Sequence, residues 1–211
     1  IGTGGIGRAV AKRYRGLEML VEGVDIVKAD PDEYVPVIHP ISYLSKLLPS
    51  TDVLTICSPH TEETHRLTDS TALEALPDDA YVINVSRGKV VDTKALAHAL
   101  RNGKLRGAGL DVVEEEPLPP ESDLWDVPNL VITPHTAGRS PRRRERIHAF
   151  VIENIDRYTR GEPLLNRVLK IRKNALGLRH EDVARTLTRL AKLHRGQGRH
   201  ADAKRLEARA R

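Results

Sequence analysis

The sequence has few aromatic residues and almost no cysteine. Phe, Trp and Tyr make up 3% of its 211 residues. The core therefore has to be built from Val, Leu, Ile and Ala, which suits a parallel sheet covered by helices on both faces. The single cysteine, Cys57, excludes an internal disulfide framework and a zinc site made of several cysteines. It lies within an apolar run, and we expect a small buried residue there with no chemistry of its own.

Long apolar runs are also lacking. No stretch approaches the roughly eighteen apolar residues of a membrane-spanning helix, and no charged start followed by an apolar stretch resembles a signal peptide. These absences predict a cytoplasmic protein without a membrane partner. The length of 211 residues allows one large domain, or one medium domain with an appendage.

The net charge of +5 is unevenly distributed along the chain. From Arg167 onward there are 14 Lys and Arg against 4 Asp and Glu, whereas the residues before it carry 20 basic and 25 acidic side chains. The basic character therefore belongs to the C-terminal tail alone. That tail has no aromatic residue on which a base could stack, so we expect a solvated helical surface rather than a nucleic-acid partner.

Residues 1–165 alternate apolar runs with amphipathic stretches, a rhythm typical of repeated β-α units. The pattern predicts strands at 52–57, 80–85, 105–113 and 129–133, and helices at 42–48, 70–76, 93–101 and 140–158. Asp92 is the expected cap of the third of these helices, and Asn102 with Gly103 is its expected end. The predicted fold class is α/β, with an open, doubly wound parallel sheet.

The chain opens on a glycine-rich turn, IGTGGIG, that runs directly into a helical segment. Gly2, Gly4 and Gly7 fit the pattern G-x-G-x-x-G. In that pattern one glycine allows the tight turn, one lets the backbone approach a pyrophosphate, and one permits close packing of helix and strand. The N-terminus of the helix would offer free N–H groups and a partial positive charge to the phosphates.

Asp25 lies 18 positions after Gly7, at the end of an apolar-rich segment. A carboxylate at this place can accept the hydroxyl groups of an adenosine ribose and would repel a 2′-phosphate. The turn and Asp25 together predict NAD as the cofactor and favour it over NADP. The alternative is a surface aspartate that merely closes a strand.

Arg87, Glu116 and His135 each follow a predicted strand. In doubly wound sheets ligands bind beyond the carboxyl ends of the strands, so these side chains should converge near the glycine turn. Hydride exchange between an alcohol and a ketone needs a group that moves the hydroxyl proton, for which histidine is suited. A carboxylate would orient the imidazole, an arginine would bind a substrate carboxylate, and a nicotinamide would carry the redox chemistry.

Each of these three residues also has a structural interpretation. Arg87 can be a surface charge, Glu116 part of a solvated acidic loop, and His135 a loop histidine. Periodicity alone does not distinguish Glu116 from Glu114 and Glu115 as the carboxylate partner of the histidine.

The other histidines are not assigned to the site. His60 and His65 flank an acidic loop without a third ligand at metal spacing, so no metal site is predicted. His39, His98 and His148 are expected to be surface or packing residues.

Three blocks of the sequence resemble the signature blocks of the D-isomer-specific 2-hydroxyacid dehydrogenases. They occupy residues 84–92 (NVSRGKVVD), 107–118 (GAGLDVVEEEPL) and 133–138 (TPHTAG). The resemblance covers residues 1 to about 168, and the family includes phosphoglycerate dehydrogenase, glyoxylate/hydroxypyruvate reductases and D-lactate dehydrogenase. It implies a Rossmann-like NAD-binding domain and hydride transfer between NAD(H) and a small 2-hydroxy or 2-oxo acid.

The resemblance also implies roles for individual residues. Arg87 would bind the carboxylate and carbonyl of the substrate, His135 would be the acid/base, and Glu116, directly before a proline as the family pattern requires, would be its partner. Asp111 would contact the nicotinamide end of the cofactor. The other implied cofactor contacts are Gly5 and Ile6 on the pyrophosphate, Ser58, Pro59 and Thr64 on the adenosine side, and the backbone near Val85 and Gly138.

The chain departs from the family at its start. Family members place the active site between two domains, and most of the smaller, substrate-binding domain precedes the glycine turn. We therefore expect this chain to lack most of the first strand and the N-terminal substrate domain, and to turn over little unless another chain completes it. Dimerisation through the cofactor domain is a further implication of the resemblance.

The C-terminal tail departs as well. We predict the NAD-binding domain at 1–168, a linker at 169–178 and an all-α hairpin at 179–211 that resembles a single tetratricopeptide repeat. The expected packing positions are Leu187, Leu190, Ala191, His194, Ala203 and Ala210, whereas Glu207 occupies a normally aromatic position. One repeat cannot bury its own apolar face. The tail must pack on the main domain, pair with another copy, or stay loosely ordered.

Two functions remain open on this basis. The first is an NAD-dependent dehydrogenase of 2-hydroxy acids, and the second is a non-catalytic NAD-binding module whose tail contacts a protein partner. A purely structural helical scaffold does not account for Arg87, Glu116 and His135.

Overall fold

A computed structural model describes residues 1–26, 29–159, 181–196 and 198–209. The chain divides into two compact units, residues 1–138 and 139–211, and each is described by itself. The predicted linker at 169–178 lies outside the described residues, so the boundary at residue 168 stays a prediction. No helix among the described residues is both long and apolar enough to cross a bilayer.

The first unit alternates strands and helices as the sequence predicts. Its strands are β1 (Gly23–Asp25), β2 (Ile38–Pro40), β3 (Val53–Ile56), β4 (Tyr81–Asn84), β5 (Gly107–Leu110) and β6 (Leu130–Ile132). Its helices are α1 (Gly5–Gly16), α2 (Leu44–Leu47), α3 (Ser70–Glu74) and α4 (Thr93–Arg101), and short 3-10 turns flank α2 on both sides. Strands β3, β4, β5 and β6 pair in this order, and all are parallel.

The first residues of the chain join this sheet to the parallel pair β1–β2. The nitrogen of Ile1 donates to Thr55 O at 2.6 Å, and Ile1 O accepts from Cys57 N at 2.8 Å. On the other side Gly2 N donates to Val24 O at 2.8 Å. The backbone of Ile1 and Gly2 thus lies between β1 and β3, and the predicted doubly wound parallel arrangement is confirmed.

The buried core of this unit is aliphatic, as the shortage of aromatic residues requires. Its fully buried members include Ile56, Leu73, Leu76, Val82, Val90, Leu96, Leu105 and Leu110. Cys57 is partly buried, and burial raises the pKa of its thiol. The raised pKa keeps the thiol protonated, the less reactive form.

Two features of the first unit differ from the sequence prediction. Strand β2 was not predicted, because a three-residue edge strand with half-exposed side chains has no detectable periodicity. Strand β5 ends at Leu110 rather than at Val113, because the next residue, Asp111, turns its side chain to the loop after β6. The predicted limits of α4 are confirmed: Asp92 Oδ1 accepts from two backbone N–H groups, and Gly103 ends the helix with a φ of +71°.

The second unit contains α5 (Arg143–Thr159), α6 (Glu181–Gly196) and α7 (His200–Ala208). Helices α6 and α7 form the predicted hairpin, and the predicted packing residues Leu187, Leu190, Ala191 and Ala203 are buried. The structure also explains Glu207 at the normally aromatic position. Its carboxylate pairs with the Arg195 guanidinium at 2.5 and 2.7 Å, so a salt bridge across the hairpin occupies this place. Ala210 lies outside the described residues.

Candidate active site

The three glycines of the G-x-G-x-x-G pattern have different surroundings. A Cβ on Gly7 would lie 1.9 Å from Gly2 O, and one on Gly2, whose φ is +85°, would lie 2.6 Å from Ser58 N. A Cβ on Gly4 would meet nothing within 4 Å. Gly2 and Gly7 are therefore required by close backbone packing, whereas Gly4 faces open space.

These surroundings fit the pyrophosphate of a dinucleotide. Helix α1 begins at Gly5, and the N–H groups of a first helical turn have no carbonyl partner within the helix. They border the open space in front of Gly4, where a phosphate would take the place that a side chain would fill. The Ser58 hydroxyl is also buried beside the turn and has no hydrogen-bond partner within the described part of the chain.

Asp25 is positioned against the glycine turn by the end of β1. Its Oδ2 accepts from Thr3 N at 2.6 Å and from Thr3 Oγ1 at 2.8 Å. Arg8 on α1 donates to Thr3 O at 3.0 Å and forms an ion pair with Asp32. The carboxylate predicted to bind the ribose therefore also stabilises the turn. Sequence reasoning missed Thr3, because it stands at a variable position of the glycine pattern.

Arg87 lies in a tight turn that Asn84 fixes at the end of β4. The Asn84 side chain is completely buried. Its Oδ1 accepts from Ser86 N at 3.0 Å and Ser86 Oγ at 2.8 Å, and its Nδ2 donates to Arg87 O at 3.0 Å. The Arg87 side chain is exposed and donates to Ser86 O. Within the described ranges it forms no ion pair with Glu116 or His135, so its guanidinium can turn toward a substrate anion.

The turn with Arg87 packs backbone to backbone on the loop that follows β5. A Cβ on Gly88 would lie 1.9 Å from Val113 O and 2.4 Å from Glu114 N. Any side chain at Gly88 would separate the two loops. Direct packing therefore fixes the distance between the arginine loop and the glutamate loop.

The structure distinguishes between the three consecutive glutamates of this loop. Glu114 Oε1 accepts from Thr93 Oγ1 at 3.1 Å, at the start of α4, and its other oxygen lies 3.5 Å from Arg66. Glu115 is exposed. Glu116 is the one that reaches His135, which resolves the ambiguity that periodicity left open.

Glu116 and His135 are joined by a direct contact between their side chains. Glu116 Oε2 lies 2.8 Å from His135 Nδ1, and Glu116 Oε1 accepts from Val113 N at 3.2 Å. With an ionised carboxylate, Nδ1 is the nitrogen that carries the proton. The Nε2 of His135 forms no hydrogen bond among the described residues, and half of the side-chain surface is exposed. The imidazole thus presents Nε2 as its free proton donor or acceptor.

Asp111 holds the loop that carries His135. Its Oδ1 accepts from Thr133 Oγ1 at 2.6 Å and Thr136 N at 2.8 Å, and its Oδ2 accepts from Ala137 N at 2.9 Å. Its backbone O accepts from His135 N at 2.9 Å, and His135 has a φ of +50°. Asp111 therefore keeps His135 in a left-handed conformation that histidine rarely adopts. This positioning role could not be found in the sequence. The predicted nicotinamide contact of Asp111 stays a prediction.

The surroundings of Asp111 change its acidity. Burial acts to raise the pKa of this carboxyl, but the hydrogen bonds from Thr133, Ala137 and Thr136 outweigh it and hold the pKa below its ordinary value. A carboxyl whose pKa is lowered by folding stabilises the folded state above its ordinary pKa, and this contribution disappears as the pH falls through the lowered value.

We expect Asp111→Asn to lower the free energy of unfolding at pH 7 by about 1–3 kcal/mol. The amide nitrogen that replaces one carboxylate oxygen cannot accept a hydrogen bond, so an N–H or O–H donor of the loop is left without its acceptor. The difference from the wild type should shrink as the pH falls below the ordinary pKa of aspartate, because wild-type Asp111 loses its contribution as the pH passes through its lowered pKa. Urea unfolding at pH 7, 5 and 3 measures both effects. Asp79→Asn is the control, because Asp79 is 86% exposed and lies 3.9 Å from its partner Arg106. Equal stabilities of Asp111→Asn and wild type at pH 7 contradict the proposed role.

The remaining predicted residues have varied environments. Pro59 is exposed at the loop after β3. Thr64 is completely buried, and its hydroxyl binds within its own loop. His39 lies 2.8 Å from Glu22, and His98 lies 2.8 Å from Asn102. Among the residues that the structure describes, no cluster of three or more His, Cys, Asp or Glu side chains could hold a metal.

Comparisons with known proteins match both parts of the chain. Residues 1–137 match the family model described as D-isomer specific 2-hydroxyacid dehydrogenase, NAD binding domain, and residues 145–211 match a tetratricopeptide repeat model. A glyoxylate reductase of Korarchaeum cryptofilum is 40% identical over 182 residues, which cover 82% of this chain and 53% of that protein.

Solved structures give the same result. A D-isomer specific 2-hydroxyacid dehydrogenase family protein from Aeromonas salmonicida is 36% identical with a TM-score of 0.71, and the match covers 77% of this chain and 52% of that one. A D-isomer specific 2-hydroxyacid dehydrogenase from Xanthobacter autotrophicus, in complex with NADPH and MES, is 37% identical with a TM-score of 0.66, and the match covers 78% and 67%. The chain spans about half the length of the curated relatives that it matches.

Proposed function

The chain belongs to the D-isomer-specific 2-hydroxyacid dehydrogenase family, whose NAD-binding domain it carries, and from this premise we propose that it serves the transfer of hydride between NAD(H) and a small 2-oxo or 2-hydroxy acid. The pair of Glu116 and His135, 2.8 Å apart at the carboxyl edge of the sheet, is the observation that carries the proposal. Relatives named glyoxylate reductase make glyoxylate the first substrate to test.

The residues of the chain divide the work of this reaction. The nicotinamide, when bound, supplies or accepts the hydride. His135 Nε2 gives a proton to the oxygen of the reduced substrate, or takes it in the reverse direction. Glu116, in contact with Nδ1, orients the ring. Arg87, exposed on its fixed turn, binds the carboxylate of the acid and stabilises charge on the reacting oxygen.

We propose that the cofactor is NAD rather than NADP because of Asp25. Its carboxylate is fixed by two hydrogen bonds to Thr3 and cannot easily turn away from the ribose that it is expected to bind. A 2′-phosphate near Asp25 would meet its negative charge. The similar protein from Xanthobacter autotrophicus is in complex with NADPH, so the preference between NAD and NADP has to be measured for this chain.

Two measurements test the proposal. Fluorescence titration should give tighter binding of NADH than of NADPH, and no binding of either would contradict the proposed function. Steady-state NADH oxidation with glyoxylate and hydroxypyruvate should be slow for this chain alone, because water reaches half of the His135 surface. Adding the substrate-domain half of a glyoxylate reductase should raise the rate. Turnover of the chain alone at the rate of ordinary dehydrogenases would contradict the need for completion.

A second candidate function is favoured by the C-terminal third of the chain. Residues 145–211 match a tetratricopeptide repeat model, a motif whose stacked helices form binding surfaces. On this view the chain is a non-catalytic NAD-binding module whose tail contacts a protein partner. NADH binding without turnover, even after the substrate-domain half is added, would favour it. Homodimerisation through the cofactor domain is expected under both functions and can be measured by light scattering.

A further inference from the structure

The loop after β3 brings two histidines together outside the residues used above. His60 and His65 are five positions apart in sequence, yet His60 Nε2 lies 3.1 Å from His65 Nδ1. Their ring centroids are 5.3 Å apart, and the ring planes meet at 68°. Both side chains are exposed, so each ring can rotate without displacing a packed neighbour.

Thr64 fixes the loop in the shape that pairs the two rings. It is completely buried, and its hydroxyl donates to Pro59 O at 2.7 Å and accepts from Thr61 N at 2.7 Å. On the far side Arg66 N donates to Lys89 O at 2.8 Å. The backbone on both sides of the histidines is thus held in place, and the pair is formed before any ligand arrives.

The separation of the two nitrogens matches that of two ligands on one metal ion. Imidazole nitrogens lie about 2.0–2.1 Å from a first-row divalent ion, so two of them at right-angled or tetrahedral positions are about 2.9–3.4 Å apart. The observed 3.1 Å falls within this range. In the metal-free pair one proton lies between the nitrogens. An ion about 2.0–2.1 Å from each nitrogen would lie to one side of the line that joins them, after a small rotation of the exposed rings, and the proton would be released to solvent.

We propose that His60 and His65 form a two-histidine chelate for a divalent transition metal ion. Imidazole ligands suit Cu²⁺, Ni²⁺ and Zn²⁺, with Cu²⁺ bound most tightly, whereas Mg²⁺ and Ca²⁺ prefer oxygen ligands. No third His, Cys, Asp or Glu completes the cluster among the described residues, so water fills the other positions. The site is therefore open and exchangeable rather than a closed structural centre.

Calorimetric titration of the whole chain with CuCl₂, NiCl₂ and ZnCl₂ tests this proposal. We expect one principal site per chain, tightest for Cu²⁺ and weaker at pH 5, where protons compete for the ligands. His60→Ala and His65→Ala should each weaken binding at least about tenfold, because either one removes the chelate. The double variant should lose less binding free energy than the sum of the two single losses, because each single variant already lacks the chelate. His98→Ala removes another exposed histidine and should leave the titration unchanged.

The Cu²⁺ complex provides an independent measurement. Its electron paramagnetic resonance spectrum should show hyperfine coupling to two nitrogens in the wild type and to one in either single variant. His60→Gln and His65→Gln, which keep a polar side chain on the surface, should behave like the alanine variants. Wild-type affinity in the single variants would overturn the proposal. A loss of binding free energy in the double variant equal to the sum of the two single losses would also overturn it, because it would indicate two separate sites.

Discussion

Replacing Gly7 with alanine should abolish dinucleotide binding and destabilise the first unit. A Cβ at this position would lie 1.9 Å from Gly2 O, so α1 would have to move away from the turn. Overpacking of this kind costs about 1–3 kcal/mol of unfolding free energy. Moving the first turn of α1 would also remove N–H groups from the pyrophosphate. The loss of two charge-assisted bonds, at about 1.5–3 kcal/mol each, weakens NADH binding by at least about a hundredfold.

Two further glycine substitutions separate the effect on binding from the effect on folding. Gly4 has a φ of −71° and open space around its Cβ position, so Gly4→Ala should fold normally but weaken NADH binding by filling the phosphate space. Gly16, at the far end of α1, also has open space around it, so Gly16→Ala should change neither property. Thermal unfolding and NADH fluorescence titration measure the three variants. Normal NADH binding by Gly7→Ala would refute the assignment of the turn.

Removing the imidazole of His135 should reduce turnover by about 10² to 10⁴-fold, the usual contribution of a general acid or base. His135→Asn keeps a polar residue that tolerates the φ of +50° at this position, so the loop held by Asp111 should remain intact. NADH binding should therefore be unchanged while kcat falls. The rate is measured with glyoxylate, in the chain completed by a substrate-domain half if the chain alone is too slow.

Variants of the partner residues define the role of His135 further. Glu116→Gln should lower kcat less than His135→Asn, because the imidazole remains but loses the carboxylate that orients it. His98→Ala, on the exposed face of α4, is the control and should leave kcat unchanged. If His135→Asn keeps the wild-type rate, the chain does not use this imidazole, and the non-catalytic NAD-binding module becomes the better description.

The sequence was sufficient to identify the elements on which the site depends. The apolar runs predicted β3, β4, β5 and β6, and the helices α3 and α4 between β3, β4 and β5 indicated that these three strands are parallel. The spacing of the glycines predicted the turn, and Arg87, Glu116 and His135 were found because each follows a strand. These features are local in sequence, so a pattern can reveal them. The C-terminal hairpin was predicted for the same reason, since the spacing of Leu187 and Ala203 depends on helical periodicity alone.

What the sequence determined by itself is therefore the fold class, the glycine turn and the candidate residues. Only the tertiary structure decided how these residues are held. It placed Glu116 rather than Glu114 against His135, gave Asp111 and Asn84 the hydrogen bonds that fix the loops of His135 and Arg87, and brought His60 within 3.1 Å of His65. The physical reason is that hydrogen bonds and loop packing depend on distances in space. The residues concerned are either far apart in the chain or brought together by the shape of a loop. Periodicity carries no information about those distances.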